Sequence, residues 1–283
     1  MQLEASRIWS VLEEIREKAP VIHNITNFVA MNNTANALLA LGASPVMAHA
    51  EEEVEEMVNI ASALVINIGT LSKSWVFSML RAVTQAEQRK IPIILDPVGA
   101  GATAYRSRTS RELLEKVPIT IIRGNASEIM ALANVESKTR GVDSSAPTED
   151  ALEAARQLSA TYGSVVCVSG ETDYIISGAD VTAVLNGHIL LTKVTGMGCT
   201  ASALCGAFAA VSSDYALAAA AAMAVMGIAG ELGAMNSPGP GSMQVNFLDA
   251  LYRMSEGAIQ KYLHSENGQA EAAARDKSRI LRR

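Results

Sequence analysis

The sequence predicts an α/β fold: a central, mainly parallel sheet with helices on both faces. Short, almost wholly apolar runs, such as Ala63–Ile68 and Ile91–Leu95, alternate with longer segments of helical spacing. Strands apolar on both sides belong to parallel sheets covered on both faces. Apolar residues make up 49% of the 283 and charged residues 18%, which supports one continuous core rather than disorder.

In chain order, Ile8, Val11, Leu12 and Ile15 predict a helix over 6–17, closed by Pro20. Val21–Ile25 is a strand, 28–41 a helix ended by Gly42, Pro45–Ala48 a strand and Glu51–Ile60 an acidic helix. Ala63–Ile68 is a strand ended by Gly69, and 73–89 is a helix. The strand Ile91–Leu95 runs into the loop 96–103. A helix at 109–116, a strand Ile119–Ile122, a helix from Ser127, a helix at 148–160 and a strand Ser164–Val168 continue the alternation. From Asp173 the texture changes to a meander of Tyr174–Gly178, Val181–Leu185 and His188–Leu191, with Asn186-Gly187 as a hairpin signal. Two or three Ala-rich helices fill 199–233, another lies near 243–260, and the charged tail after about 265 is expected to be flexible. No linker or repeat interrupts the chain, so 1–283 is expected to be a single domain.

The formal charge of -6 and the lack of a basic stripe exclude nucleic acid as the expected partner. An anionic ligand must be held by local devices. Cys167, Cys199 and Cys205 are odd in number and show no metal-binding or disulfide spacing. The first twenty residues lack the apolar run of a signal peptide. The uncharged stretch Val194–Ser213 opens on a Gly-x-Gly turn and contains Thr195, Thr200 and Ser202, so it reads as a buried core helix. The expected location is cytoplasmic, without membrane association.

Four motifs follow predicted strands. In Thr195-Gly-Met-Gly-Cys-Thr-Ala201 two glycines present free N–H groups at a helix start, an arrangement that binds anions. Cys199 then lies in the first turn, where the helix dipole favours thiolate. Asp96-Pro-Val-Gly-Ala-Gly101 places a carboxylate where it can reach a magnesium-bound phosphate. In Arg123-Gly-Asn-Ala-Ser-Glu128, Arg123 offers a phosphate fork and Glu128 a carboxylate for a metal or its water shell. There Asn125 and Glu128 also fit a helix capping box. In Val168-Ser-Gly-Glu-Thr-Asp173, Ser169 suits a nucleotide phosphate or ribose. Each of the four reads singly as an ordinary turn. Their shared position after core strands brings all of them to one rim of one sheet. The amide-rich segment His23–Asn27 and Met31–Thr34 suits a small polar heterocycle.

Two other nucleotide devices fit poorly. A Walker loop needs Gly-Lys followed by Ser or Thr, and the chain has no Gly-Lys pair. Gly99-x-Gly101-x-x-Ala104 and Gly196-x-Gly198-x-x-Ala201 match the dinucleotide pattern, but neither is followed by an acidic residue ending a second strand.

The set resembles the hydroxyethylthiazole kinase family, within the ribokinase superfamily. The matching pieces are Thr26-Asn27, Asn36–Pro45, Asn67–Thr70, Leu95–Val98, Arg123–Ile129, Gly141-Val-Asp143 and Gly196–Cys199, in the family's order from 21 to about 250. The resemblance implies a ribokinase-like fold and ATP- and magnesium-dependent phosphorylation of 4-methyl-5-(2-hydroxyethyl)thiazole in thiamine salvage. It also implies a homotrimer with thiazole sites between subunits. It assigns Met47 and Gly196 to thiazole, with Asn24 and Asn27 close by. Arg123, Ser169 and Gly198 fall to ATP, Asp96 and Glu128 to magnesium, and Cys199 to the base position. Ser169 stands where many relatives carry Thr, with the hydroxyl kept. Sugar kinases of the superfamily carry Asp where this chain has Cys199, which favours the thiazole branch. A kinase for a hydroxymethylpyrimidine or pyridoxal-type alcohol, or a non-catalytic thiazole or nucleotide binder, are the alternative functions.

Overall fold

The computed structural model describes residues 3–133 and 146–267. The motif Gly141-Val-Asp143 and the tail beyond Asn267 lie outside the described residues.

The first half alternates as expected: α1 (Ala5–Lys18), β1 (Val21–Ile25), α2 (Met31–Leu41), β2 (Ser44–Val46), α3 (Val54–Ile60), β3 (Ala63–Asn67) and α4 (Lys73–Arg89). Then follow β4 (Ile93–Asp96), α5 (Ala104–Lys116), β5 (Ile121–Asn125), α6 (Ala126–Leu132), α7 (Ala146–Tyr162) and β6 (Val165–Ser169). The later part holds β7 (Asp173–Ser177), β8 (Asp180–Val184), α8 (Met197–Ala209), α9 (Tyr215–Ala234), α10 (Pro240–Tyr252), α11 (Glu256–Tyr262) and β9 (Ser265–Asn267).

The nine strands of the described residues form one sheet in the order β2-β1-β3-β4-β5-β6-β7-β8-β9. The first six run parallel, and β7, β8 and β9 continue antiparallel. Successive strand residues alternate between the two faces. Ile22, Val65, Ile94 and Cys167 join α1, α2, α8, α9, α10 and α11 in one core layer. Leu64, Ile66, Leu95, Ile122 and Val168 join α3 to α7 in the other. Helix α9 is long and apolar enough to cross a membrane, yet 83% of its apolar window is buried inside the protein. It is a core helix, as is α8, whose residues from Thr200 to Ala209 are all buried.

Several boundaries differ from the sequence reading, each for a local reason. The helix expected from 28 starts at Met31, because Asn27 folds back and its Oδ1 accepts from the Ala30 N–H at 3.0 Å. The helix expected from 109 starts at Ala104, where Thr103 caps it by accepting from the Arg106 N–H at 3.2 Å. The helix expected near 243–260 is two, because Ser255 caps a new start. The hairpin expected at Asn186-Gly187 is absent. The Asn186 side-chain amide instead donates to Glu231 Oε1 at 3.0 Å and to the Tyr262 carbonyl at 2.6 Å. The strand expected at His188–Leu191 is accordingly a 3-10 helix, Ile189–Lys193. Its place beside β8 is taken by β9, so Ser265–Asn267 is paired rather than a loose tail.

Candidate active site

The parallel strands carry their last residues to one rim, where α8 also begins. In register, Asn67 closing β3 pairs with Asp96 closing β4, and Asn125 closing β5 pairs with Ser169 closing β6. Ligands of open α/β sheets bind at this carboxyl edge. Helix α8 packs on β1, β3, β4 and β5, so its first turn lies over the same rim.

A polar chain runs along it. The Asn27 Nδ2 donates to Asn67 Oδ1 at 2.8 Å and to Cys199 Sγ at 3.1 Å. The Asn67 Nδ2 donates to Asp96 Oδ2 at 2.7 Å, and the Ser202 hydroxyl donates to the same oxygen at 2.8 Å. Asp96 Oδ1 is buried without a protein partner. Asp96 is therefore clamped by one oxygen, and the other is left to take a partner. Burial raises its pKa to about 6, against the lowering pull of Arg123 and the Ser202 and Asn67 hydrogen bonds.

Arg123 is buried opposite the start of α8. A Cβ on Gly198 would lie 2.8 Å from its Nη1, so only glycine lets the guanidinium sit against this turn. Gly196, the residue before α8, has φ 79°, a left-handed conformation that glycine adopts freely. No side chain caps α8, and its first N–H groups remain for a ligand. Arg123 Nη2 donates to Ser169 Oγ at 2.6 Å, and Nε is buried without a partner. Among the described residues it forms no ion pair. Burial alone would lower its pKa; Asp96 first, then Cys167, Asp173 and Glu128, outweigh that and hold it charged. A buried cation without a contacting counter-ion suits an incoming phosphate.

Glu128 forms the expected capping box with Asn125. It also reaches the neighbouring loop: Oε1 accepts from the Gly99 N–H at 2.8 Å, while Oε2 accepts from the Asn125 N–H at 2.9 Å. It therefore ties the loop after β4 to the start of α6. The residues on offer to a divalent cation are Asp96 and Glu128; no cluster of three acidic, His or Cys ligands occurs among the described residues. Magnesium is a hard ion that keeps waters and usually takes one or two carboxylates plus substrate phosphates. The free Oδ1 of Asp96 fits that mode of binding, where an all-protein cage would not.

One sequence expectation is reversed. The helix start does not make Cys199 thiolate-prone. Burial pushes its thiol up, Asp96 pushes the same way, and the Asn27 and Asn67 amides and Arg123 do not overcome them. Of the residues that the resemblance assigns to thiazole, Asn27 is in the polar chain. Asn24 is buried in β1, with Nδ2 donating to the Ile22 carbonyl at 2.8 Å and Oδ1 unpartnered. Met47 follows β2 at the sheet edge. Asn67, Ser202 and Asp173 were missed as site residues. Asn67 closes β3 beside Asp96 in the sheet, a neighbourhood that the sequence alone does not display. Asp173 accepts from the Gly170 N–H at 3.0 Å and fixes the turn after Ser169.

Comparisons with known proteins place the chain in a family. The family model described as the Hydroxyethylthiazole kinase family matches residues 12–257. A hydroxyethylthiazole kinase of Syntrophus aciditrophicus is 63% identical over 270 residues, covering 95% of this chain and all of the relative. One of Leptospira biflexa is 55% identical over 255 residues, covering 90% and 96%. The structure of a hydroxyethylthiazole kinase protein from Pyrococcus horikoshii matches with TM-score 0.86 and 45% identity, over 93% of this chain and 100% of that one. A pyridoxal kinase of Staphylococcus aureus in complex with pyridoxal matches with TM-score 0.64 and 16% identity, over 88% and 97%, a likeness of fold alone. The fold is ribokinase-like, and the chain belongs to the hydroxyethylthiazole kinase family.

Proposed function

We propose that this chain transfers the γ-phosphoryl group of ATP to the primary alcohol of 4-methyl-5-(2-hydroxyethyl)thiazole in thiamine salvage. The observation that carries the reading is the buried Arg123, uncompensated by contact, facing the uncapped start of α8 beside the free oxygen of Asp96. Cation, helix N-terminus and carboxylate meet where a magnesium-bound triphosphate and an alcohol must be brought together.

Arg123, Ser169 and the Gly198 N–H hold phosphate oxygens, and the α8 N-terminus stabilises charge on the transferring group. Magnesium bound with ATP neutralises phosphate charge. Asp96, through its free Oδ1, and Glu128 would hold that ion or its waters, and Glu128 also ties the loop of Gly99 in place. Met47, Gly196, Asn24 and Asn27 receive the thiazole. The working form is a cytoplasmic, single-domain protomer in a homotrimer with thiazole pockets between subunits. In support, Phe28 and Val29 are 66% and 62% exposed directly after Asn27.

The test is purified protein with magnesium-ATP and a panel of heterocyclic alcohols, with products followed by mass spectrometry. The thiazole alcohol is expected to be turned over fastest. Faster turnover of a hydroxymethylpyrimidine, pyridoxal or a sugar contradicts the reading. Tight thiazole binding with no product would mark a binder instead.

Cys199 is the proposed base, held by Asn27 and mostly thiol near neutrality. Catalysis through it therefore rises with pH. Cys199→Ser is expected to lower kcat about ten- to hundredfold near pH 8, since a general base contributes up to about 10²–10⁴. Cys199→Asp should retain turnover with a flatter profile above neutrality. Equal kcat for Ser and Cys at every pH would make residue 199 a spacer.

A further inference from the structure

His23 lies in β1, fully buried, with Nε2 2.8 Å from the Ala48 carbonyl oxygen. A carbonyl only accepts, so Nε2 carries the proton and donates. The other ring nitrogen, Nδ1, is then bare, and it is buried with no partner. Ala48 belongs to the loop that leaves the sheet edge at β2, between Met47 and His49. His23 pairs in register with Val46, so its ring reaches two residues past the last paired residue of β2 to hold the loop. The same loop is tied outward by His49, whose ring lies 4.4 Å from that of Trp75 and whose Nδ1 is 3.4 Å from the Met47 carbonyl.

We propose that His23 is a positioning residue for the acceptor pocket: through Ala48 it fixes the Met47 loop, and its protonation releases that loop. The inference rests on the reading that Met47 contacts the alcohol. A second ring proton would sit at Nδ1, where the described residues offer no acceptor, so the protonated ring is driven from its place. Burial holds His23 below the ordinary histidine value, with the Ala48 bond and then Glu53 opposing. The surroundings offer little else to stabilise a charge. Among the elements packed against β1, the segments β2, β3 and α8 contain no charged residue. Helix α3 contributes Glu55, which is bound to Arg81, and Glu56. The loop itself carries His49 and, toward α3, Glu51, Glu52 and Glu53, of which Glu53 acts on His23.

The experiment measures KM for the thiazole alcohol, KM for ATP and kcat from pH 5.5 to 8. The proteins are wild type, His23→Leu, His23→Gln, Met47→Ala and His23→Leu/Met47→Ala. His23→Leu is expected to raise the alcohol KM about tenfold, the size of one lost buried hydrogen bond, with little change in the ATP KM. His23→Gln, whose amide can donate to Ala48 but cannot titrate, should recover most of that affinity. In wild type the alcohol KM should climb only as pH falls below the ordinary histidine range, while the Gln variant stays flat. Because His23 acts through Met47, the two losses should be less than additive in the double variant. A wild-type KM in His23→Leu beside a defect in Met47→Ala overturns the role of His23, as does a Gln variant that follows the wild-type pH curve. An unchanged KM in Met47→Ala overturns the pocket assignment on which the proposal stands.

Discussion

Arg123→Met is expected to lower kcat/KM for ATP about a thousandfold, the upper range for removing one preorganised donor from an anion site. It should leave the affinity for the thiazole alcohol close to wild type. The guanidinium is buried, donates to Ser169 and abuts Gly198, so it supplies both charge and a fixed fork. Arg123→Lys keeps the charge and loses the fork, and should fall between the two. The variant should fold, because Arg123 forms no ion pair among the described residues, and an apolar chain of similar length removes the desolvation cost of its buried charge. A second readout distinguishes the electrostatic role from packing. Arg123 is the largest influence lowering the Asp96 pKa, which stands at about 6. Without it Asp96 should ionise at higher pH, moving the acid limb of the kcat profile upward. A thousandfold loss with an unmoved acid limb would mean that Arg123 and Asp96 act separately. Retained ATP use would remove Arg123 from the phosphate site.

The parallel half of the fold was legible because β3, β4, β5 and β6 each begin as an apolar run and close on a polar residue. Asp96, Arg123 and Ser169 could be read as rim residues for that reason, and they occupy three adjacent strands. Asn67 escaped because a single amide after an apolar run looks like a strand end. Its meaning comes from its neighbours in space, Asn27 and Asp96, 40 and 29 residues away. The reading failed where side chains serve distant partners. Asn186 looked like a turn residue, yet its amide anchors α9 and the end of α11 through Glu231 and Tyr262. Cys199 was read by its place on the helix dipole. Burial and the nearby Asp96 oppose that effect, and neither is visible along the chain.

Asp96→Asn should show the clearest separation of activity from stability. With a carboxylate oxygen lost from the phosphate rim, kcat is expected to fall about a thousandfold, several kcal/mol of transition-state stabilisation. Stability should move the other way. The Asp96 pKa is raised from 3.8 to about 6, so the folded protein binds its proton more tightly than the unfolded chain does. Such a group favours folding while protonated, and this contribution is lost as pH rises from 3.8 through about 6. Above that window the ionised carboxylate costs roughly 3 kcal/mol, about two pK units at 1.36 kcal/mol each. Asparagine carries no charge and can still accept from Asn67 and Ser202. The variant should therefore melt above wild type at pH 8, and the difference should vanish near pH 4. A buried carboxylate kept ionised against its own environment is the sign of a group retained for chemistry. Thermal melts and kcat measured on the same preparations at pH 4, 6 and 8 test both halves. A lower melting temperature at pH 8 with kcat intact would make Asp96 a structural partner of Asn67 and Ser202, and would leave the phosphate site to Arg123 and the start of α8.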